Sequence, residues 1–171
     1  MRARKAPSAT SQVDEGLKLA YEAAKDILKN QDTTLGNVRT RASNLLTVAA
    51  LLTSFSVTLG LINTDPDKGF ILPLAASWSL LVVLLLMGAL VLFVLWPVRV
   101  WHFGPDAQEI FSRARKGQKE SDIRSYVVQE LITGIAVNQT TLRRKQDAFR
   151  WSVIVLLAEV AVLVGALSLC R

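Results

Sequence analysis

The stretch Leu80-Leu-Val-Val-Leu-Leu-Leu-Met-Gly-Ala-Leu-Val-Leu-Phe-Val-Leu95 contains no polar or charged side chain, and Trp96-Pro97 follows it directly. A helix that crosses the hydrocarbon core of a bilayer needs roughly 20 apolar residues, and this apolar region extends back to Phe70. Proline ends a helix because it has no backbone N–H and its ring clashes with the preceding turn. The stretch therefore predicts a membrane-spanning helix over residues 70–97.

Two further apolar stretches lie on either side of this helix. Residues 38–62 carry no charge from Ala42 to Ile62, and residues 151–170 are apolar except for Glu159. The 171-residue chain is 51% hydrophobic, which is more than a soluble domain of this size needs to fill its core. We therefore predict an all-α fold, namely an integral membrane helical bundle with three transmembrane helices and a cytosolic helical stalk.

Lysine and arginine are distributed unevenly between the predicted loops. Residues 1–41 contain eight of them and residues 98–150 contain ten, whereas the loop 63–69 contains only Lys68. Because basic residues are retained on the cytoplasmic side, we predict a cytosolic N-terminus, an external turn at residues 63–69 and an external C-terminus.

The first thirty residues contain no apolar core, so no cleavable signal peptide is expected. The predicted location is the cell inner membrane, as a multi-pass protein.

The predicted cytosolic parts have a helical periodicity of their own. Residues 1–12 are predicted to be a basic disordered tail, and residues 13–37 place apolar side chains at the spacing of an amphipathic helix. Asp106 predicts the cap of a short helix, and residues 121–150 predict a long helix that continues into the third span. Neither apolar stripe is stable in water alone, so the two are predicted to pair as the stalk.

Residue types that carry enzyme chemistry are scarce. One histidine, His102, and one cysteine, Cys170, cannot supply the usual metal ligand sets or a nucleophile with its histidine base. We therefore predict that the chain is not an enzyme and has no catalytic residues, no metal site and no cofactor. The net charge of +6 is assigned to membrane topology and contact with anionic lipid of the bilayer. No nucleic-acid partner is expected, because no nucleic-acid-binding module is recognisable.

Glu159 is an acidic residue near the middle of the predicted third span. A charge at that depth is costly unless it is neutralised or paired, so Glu159 is predicted to face the interior of the bundle. The first span offers polar side chains at comparable depth, among them Asn44, Thr47 and Ser54. Two interpretations stay open: a protonated Glu159 hydrogen-bonded to this polar face, or a polar stripe that lines water between several copies of the chain.

The order of elements resembles a known family. The junction Arg39-Thr-Arg-Ala-Ser-Asn-Leu-Leu46 enters a polar first span, and Asn138-Gln-Thr-Thr-Leu-Arg-Arg-Lys145 lies on the helix that leads into the last span. With the apolar second span between them, these segments resemble the Pycsar transmembrane effectors of bacterial cyclic-nucleotide antiphage defence and the related SLATT group of small membrane effectors.

The resemblance implies an effector that a cyclic pyrimidine nucleotide, cUMP or cCMP, activates to impair inner-membrane integrity and cause abortive infection. The expected partners are the lipid bilayer, the nucleotide and further copies of the chain in a homo-oligomer. A non-catalytic membrane adaptor and a constitutive small channel component would have the same topology and stay open as alternatives. Five arginines near the predicted membrane end of the stalk are candidates to bind the nucleotide: Arg39, Arg41, Arg143, Arg144 and Arg150.

Overall fold

The computed structural model describes residues 9–58 and 74–169, which form four α-helices and the segments between the last three. In chain order the helices are α1 (Ala9–Thr58), α2 (Leu74–Leu95), α3 (Ala107–Arg115) and α4 (Glu120–Leu169). No strand occurs within these described ranges. The predicted all-α class is therefore confirmed.

α1 is one continuous helix through the predicted cytosolic helix and into the predicted first span. It begins at Ala9, whereas the amphipathic helix was predicted to begin at residue 13, and it continues past residue 37 without a break. Gly36 lies within this helix and has no neighbouring atom where a Cβ would stand. A single glycine costs a helix only about 1 kcal/mol relative to alanine, so the hydrogen bonds of the surrounding turns hold the helix together.

α2 and α4 overlap the predicted second and third spans. α2 ends at Leu95, two residues before the predicted end of the second span, because Pro97 cannot continue the helix. α4 runs unbroken through the predicted junction at residue 150. The predicted external turn 63–69 lies outside the described residues.

α3 is the short helix that Asp106 was predicted to cap. The backbone N–H of Gln108 donates to the Asp106 carboxylate Oδ1 at 2.8 Å, which satisfies one of the free donors of the first turn. An ion pair between Glu109 and Arg113, 2.9 Å long, follows one turn later. After the helix, Gly117 takes a φ of 71°, a left-handed conformation that favours glycine.

The chain divides into two compact units. Unit 1 consists of Met1–Thr34 and Val98–Leu142, and unit 2 consists of Leu35–Pro97 and Arg143–Arg171. In unit 1, α1 packs on α4 through the two apolar stripes that were predicted to pair. The contact includes Ala24, Leu28, Val127, Leu131 and Ile135.

Unit 2 has a core made by one face of each of its three helices. This core consists of Val38, Ala42 and Ala49 of α1, Met87, Val91 and Val94 of α2, and Ala148 of α4. The alanines let the helix backbones approach closely, as is common between membrane helices. The outward faces are also apolar, and Leu85 and Leu157 on them are largely exposed. A helix that is apolar on all sides requires an apolar surrounding.

Within the described residues, α2 and α4 are long and apolar enough to cross a membrane. The described part of α1 does not reach the same hydropathy. The helical bundle with two candidate spans is thus established, whereas the three-span topology stays a prediction.

Candidate functional site

The C-terminal end of α2 is capped by a lysine from α4. The Lys145 ammonium donates to the backbone oxygens of Phe93, Val94 and Trp96, each at 2.9 Å. Lys145 is only 5% exposed, and all three of its N–H groups are used. The ammonium also lies at the negative end of the helix dipole, which favours a cation.

Pro97 explains why this helix end needs an external donor. In a continuing helix the N–H of residue 97 would donate to the carbonyl of Phe93, but proline has no N–H. The preceding bond, from Trp96 N–H to the Leu92 oxygen, is intact at 2.8 Å.

Lys145 lies outside the predicted third span. Its pKa is lowered by burial and, to a smaller extent, by the positive charge of Arg39. The three carbonyl oxygens act in the opposite direction, because they stabilise the ammonium form.

A second α4 side chain holds the segment between α2 and α3. Asn138 is fully buried, and its amide bonds both backbone groups of His102: Nδ2 donates to the His102 oxygen at 2.7 Å, and Oδ1 accepts from the His102 N–H at 3.0 Å. Gly134, one turn earlier, lets this segment approach α4, since a Cβ there would lie 3.0 Å from the His102 Cβ. The backbone around His102 is therefore fixed in place on α4.

A cavity of about 430 Å³ opens between this fixed segment and α1. On one side it is lined by Trp101, His102 and Phe103, and on the other by the α1 side chains Lys25 and Lys29. The imidazole Nδ1 of His102 is buried and has no hydrogen-bond partner among the described residues. The arrangement brings aromatic rings, two lysines and two aspartates to one pocket, which the sequence did not predict.

Four of the five candidate arginines are exposed. Arg41, Arg143 and Arg144 are exposed, and Arg150 is exposed and lies 3.6 Å from the carboxylate of Asp147. Arg39 is half-buried, and its Nε has no hydrogen-bond partner in the described part of the chain. These positions suit electrostatic attraction of an anion more than its enclosure.

Glu159 is buried at 3% exposure, in agreement with its predicted inward orientation. Its Oε2 has no hydrogen-bond partner in the described ranges, so the expected bond from the polar face of α1 is not seen for this atom. Thr47 donates to the Ser43 oxygen and Ser54 to the Ala50 oxygen, both within α1. The polar residues of α1 named with Glu159 are exposed: Asn44, Thr47 and Ser54.

Comparison with known proteins agrees with the resemblance seen in the sequence. A family model described as the Pycsar effector protein domain matches residues 23–171, which is most of the chain. The chain belongs to the Pycsar effector family. This Pycsar effector is therefore a downstream component of antiphage defence and not the cyclase of the system. Searches of the curated proteins and of the solved structures gave no significant match.

Both ends of the family-like segment Asn138–Lys145 have long-range backbone contacts in this Pycsar effector. The exposed Arg143 and Arg144 between them were the predicted site residues, whereas the buried residues at the two ends were missed. A signal for them exists in the sequence. Asn138, Leu142, Lys145, Phe149 and Ser152 follow alternating spacings of four and three residues, which place them on one face of a helix.

Proposed function

We propose that this Pycsar effector is a three-span protein of the inner membrane that binds cUMP or cCMP and then impairs membrane integrity. The infected cell would stop growing or die before phage are released. The observation that carries the proposal is the family match over residues 23–171. The matched region includes both helices that are apolar enough to cross a bilayer.

The physical basis of the response is a nucleotide-dependent change in how copies of the chain associate. A ligand shifts a conformational equilibrium only by its difference in affinity for the two states. To move the active fraction from about 1% to about 99%, the nucleotide must bind the active state roughly 10⁴-fold more tightly. Three helices alone enclose no aqueous path, so damage through a pore would need several copies of the chain, whereas disruption of the bilayer stays open as the other route.

The proposed topology has a cytosolic N-terminus, unit 1 in the cytosol and an external C-terminus. It is supported by the ten basic residues between positions 98 and 150, against the single Lys68 in the predicted external turn. Exposed basic residues such as Arg41 and Arg143 would then lie beside the anionic inner leaflet. The same residues would raise the local concentration of an anionic nucleotide near the membrane.

The deciding experiment is dye influx into bacteria that express the chain, with and without a co-expressed cyclase that makes cUMP or cCMP. Matched controls are a catalytically dead cyclase and a cyclase that makes a cyclic purine nucleotide. We expect influx only with the active pyrimidine cyclase. Influx without any cyclase would instead indicate a constitutive channel component. No influx in any strain, with the protein present in the membrane, would indicate an adaptor.

A further inference from the structure

Phe103 is an exposed aromatic residue that directly follows the fixed backbone of His102. It is 78% exposed, the highest exposure among the large hydrophobic side chains that the structure describes. Its neighbour His102 is bonded through both backbone groups to the buried amide of Asn138. A ring held out from a fixed backbone gains nothing from packing within the chain. It is, however, suited to stack against a planar ligand, as aromatic side chains do with nucleobases.

The opposite wall of the same cavity carries two cations, Lys25 and Lys29, and two carboxylates, Asp26 and Asp32. Lys25 and Lys29 are four residues apart on α1, a spacing that places both on one face of the helix. Both are exposed, and within the described residues neither forms an ion pair. Lysine binds phosphate as a mobile point charge. Asp32, one turn further, also lines the cavity and offers acceptor oxygens for an amino or hydroxyl group.

The size of the cavity fits a small ligand. Its volume of about 430 Å³ lies within the range of roughly 300–1,000 Å³ that is typical of small-molecule sites. A larger groove in unit 2, about 700 Å³ and lined by residues that include Leu84 and Met87, has no charged side chain. A cavity for a nucleotide needs both a stacking surface and cations, and this cavity supplies both. A second unit 1 cavity, of about 440 Å³, also contains an aromatic ring and cations, among them Tyr21, Lys18 and Arg124. What distinguishes the cavity at residues 101–103 is the backbone of His102, which Asn138 holds in place.

We propose that the cavity between α1 and residues 101–103 is the nucleotide-binding site. The pyrimidine base stacks on Phe103 or Trp101, and the cyclic phosphate contacts Lys25 and Lys29. The inference rests on the proposed function, because the cyclic pyrimidine nucleotide is the ligand of that function. The proposed site lies in unit 1 and replaces the five arginines near the predicted membrane end of the stalk as the candidate for nucleotide binding.

The lysine half of the site is tested with the purified full-length chain in lipid nanodiscs, by calorimetric titration with cUMP and with cCMP. The double variant Lys25→Gln/Lys29→Gln should bind the nucleotide about 10- to 100-fold more weakly, since it loses two charge-assisted contacts. The matched control is Lys116→Gln/Lys119→Gln, which removes the same charge from two exposed positions outside the cavity. The control should change the affinity less than threefold.

The stacking half is tested with Phe103→Ala and the control Phe111→Ala, which truncates another exposed phenylalanine that does not line the cavity. Loss of one stacking partner should weaken binding by roughly 5- to 150-fold, and the control should not. Because Phe103 is exposed, its removal should leave the helical content and the melting temperature unchanged. Circular dichroism of each variant checks this.

The outcomes separate the site from the function. Wild-type binding with weakened cavity variants and normal controls supports the inference. Wild-type binding that both cavity variants retain would overturn the site and leave the proposed function standing. An unmodified chain that binds neither cUMP nor cCMP, although folded in nanodiscs, would overturn the proposed function and the inference together.

Discussion

Replacement of Lys145 by methionine should destabilise unit 2, because it removes the donor that caps α2. Methionine has a similar length and no charge, so it leaves the packing volume almost unchanged while all three carbonyl oxygens lose their partner. Arg144→Met is the matched control. It removes a positive charge from the neighbouring position, which is exposed.

The magnitude follows from the surroundings of each oxygen. The bond to the Val94 oxygen is buried, so that oxygen would stay unsatisfied, at a cost of about 1–3 kcal/mol. The bonds to the oxygens of Phe93 and Trp96 are partly buried, so water can replace the lysine there, at about 0.5–1 kcal/mol each. The methionine variant also avoids the desolvation of a buried ammonium and its repulsion by Arg39, which offsets part of this loss of stability. We expect a net loss of about 2–4 kcal/mol in the free energy of unfolding.

The assay is reversible unfolding of the purified protein in mixed micelles by a denaturing detergent, with hydrogen exchange as a local readout. In the Lys145→Met variant, amide exchange should rise first at residues 93–98, where the helix end loses its cap. A free energy of unfolding within about 0.5 kcal/mol of the Arg144→Met control, together with unchanged exchange at residues 93–98, would refute the reasoning.

Three further predictions concern other parts of the chain. Gly134→Ala should lower the melting temperature despite the higher helix propensity of alanine, because its Cβ would lie 3.0 Å from a His102 that Asn138 holds in place. The control Gly16→Ala, in open space, should raise the free energy of unfolding by about 0.5–1 kcal/mol. A similar gain in stability at both positions would contradict this prediction. Glu159→Gln should preserve oligomer formation, whereas Glu159→Lys should reduce it, since the site is buried and a lysine at the centre of a membrane-spanning helix costs about 2.5–3.5 kcal/mol. Cross-linking in membranes measures the oligomer fraction of each variant. An unchanged oligomer fraction in the lysine variant would argue against burial of this site. A membrane-impermeant maleimide should label the single cysteine, Cys170, in intact spheroplasts, and labelling only after lysis would place the C-terminus in the cytosol.

Much of the fold was predictable because it depends on local rules. The apolar run that ends at Pro97 predicted α2, Asp106 predicted the start of α3, and the apolar spacing of residues 13–37 predicted the face of α1 that packs on α4. The predicted helix 13–37 and the start of the predicted first span form one helix, since a single glycine weakens a helix without ending it. Whether Gly36 breaks the helix depends on the hydrogen bonds around it.

The candidate site was less predictable, because its residues meet through contacts distant in sequence. Lys145 follows two other basic residues, and no property of its type separates it from the exposed Arg143 and Arg144. Only its position on the apolar face of α4, together with a helix end that lacks a donor, accounts for its burial. The cavity depends on the path of residues 98–106, which has no periodic pattern. Sequence reasoning therefore identified the basic segment around Arg143 and Arg144 but not the backbone contacts of Lys145 or the cavity that Lys25 and Lys29 line.

The pairing of Lys145 with the helix end at Pro97 also limits which substitutions this chain can tolerate. A residue other than proline at position 97 could donate its N–H to the carbonyl oxygen of Phe93. The lysine would then have one fewer acceptor that depends on it. The double change Pro97→Ala/Lys145→Met should therefore lower the free energy of unfolding less than Lys145→Met alone. The Pro97→Ala substitution would partly suppress the effect of Lys145→Met. Across related effectors, loss of the proline and loss of the lysine should occur together more often than chance allows, because the two positions share one task.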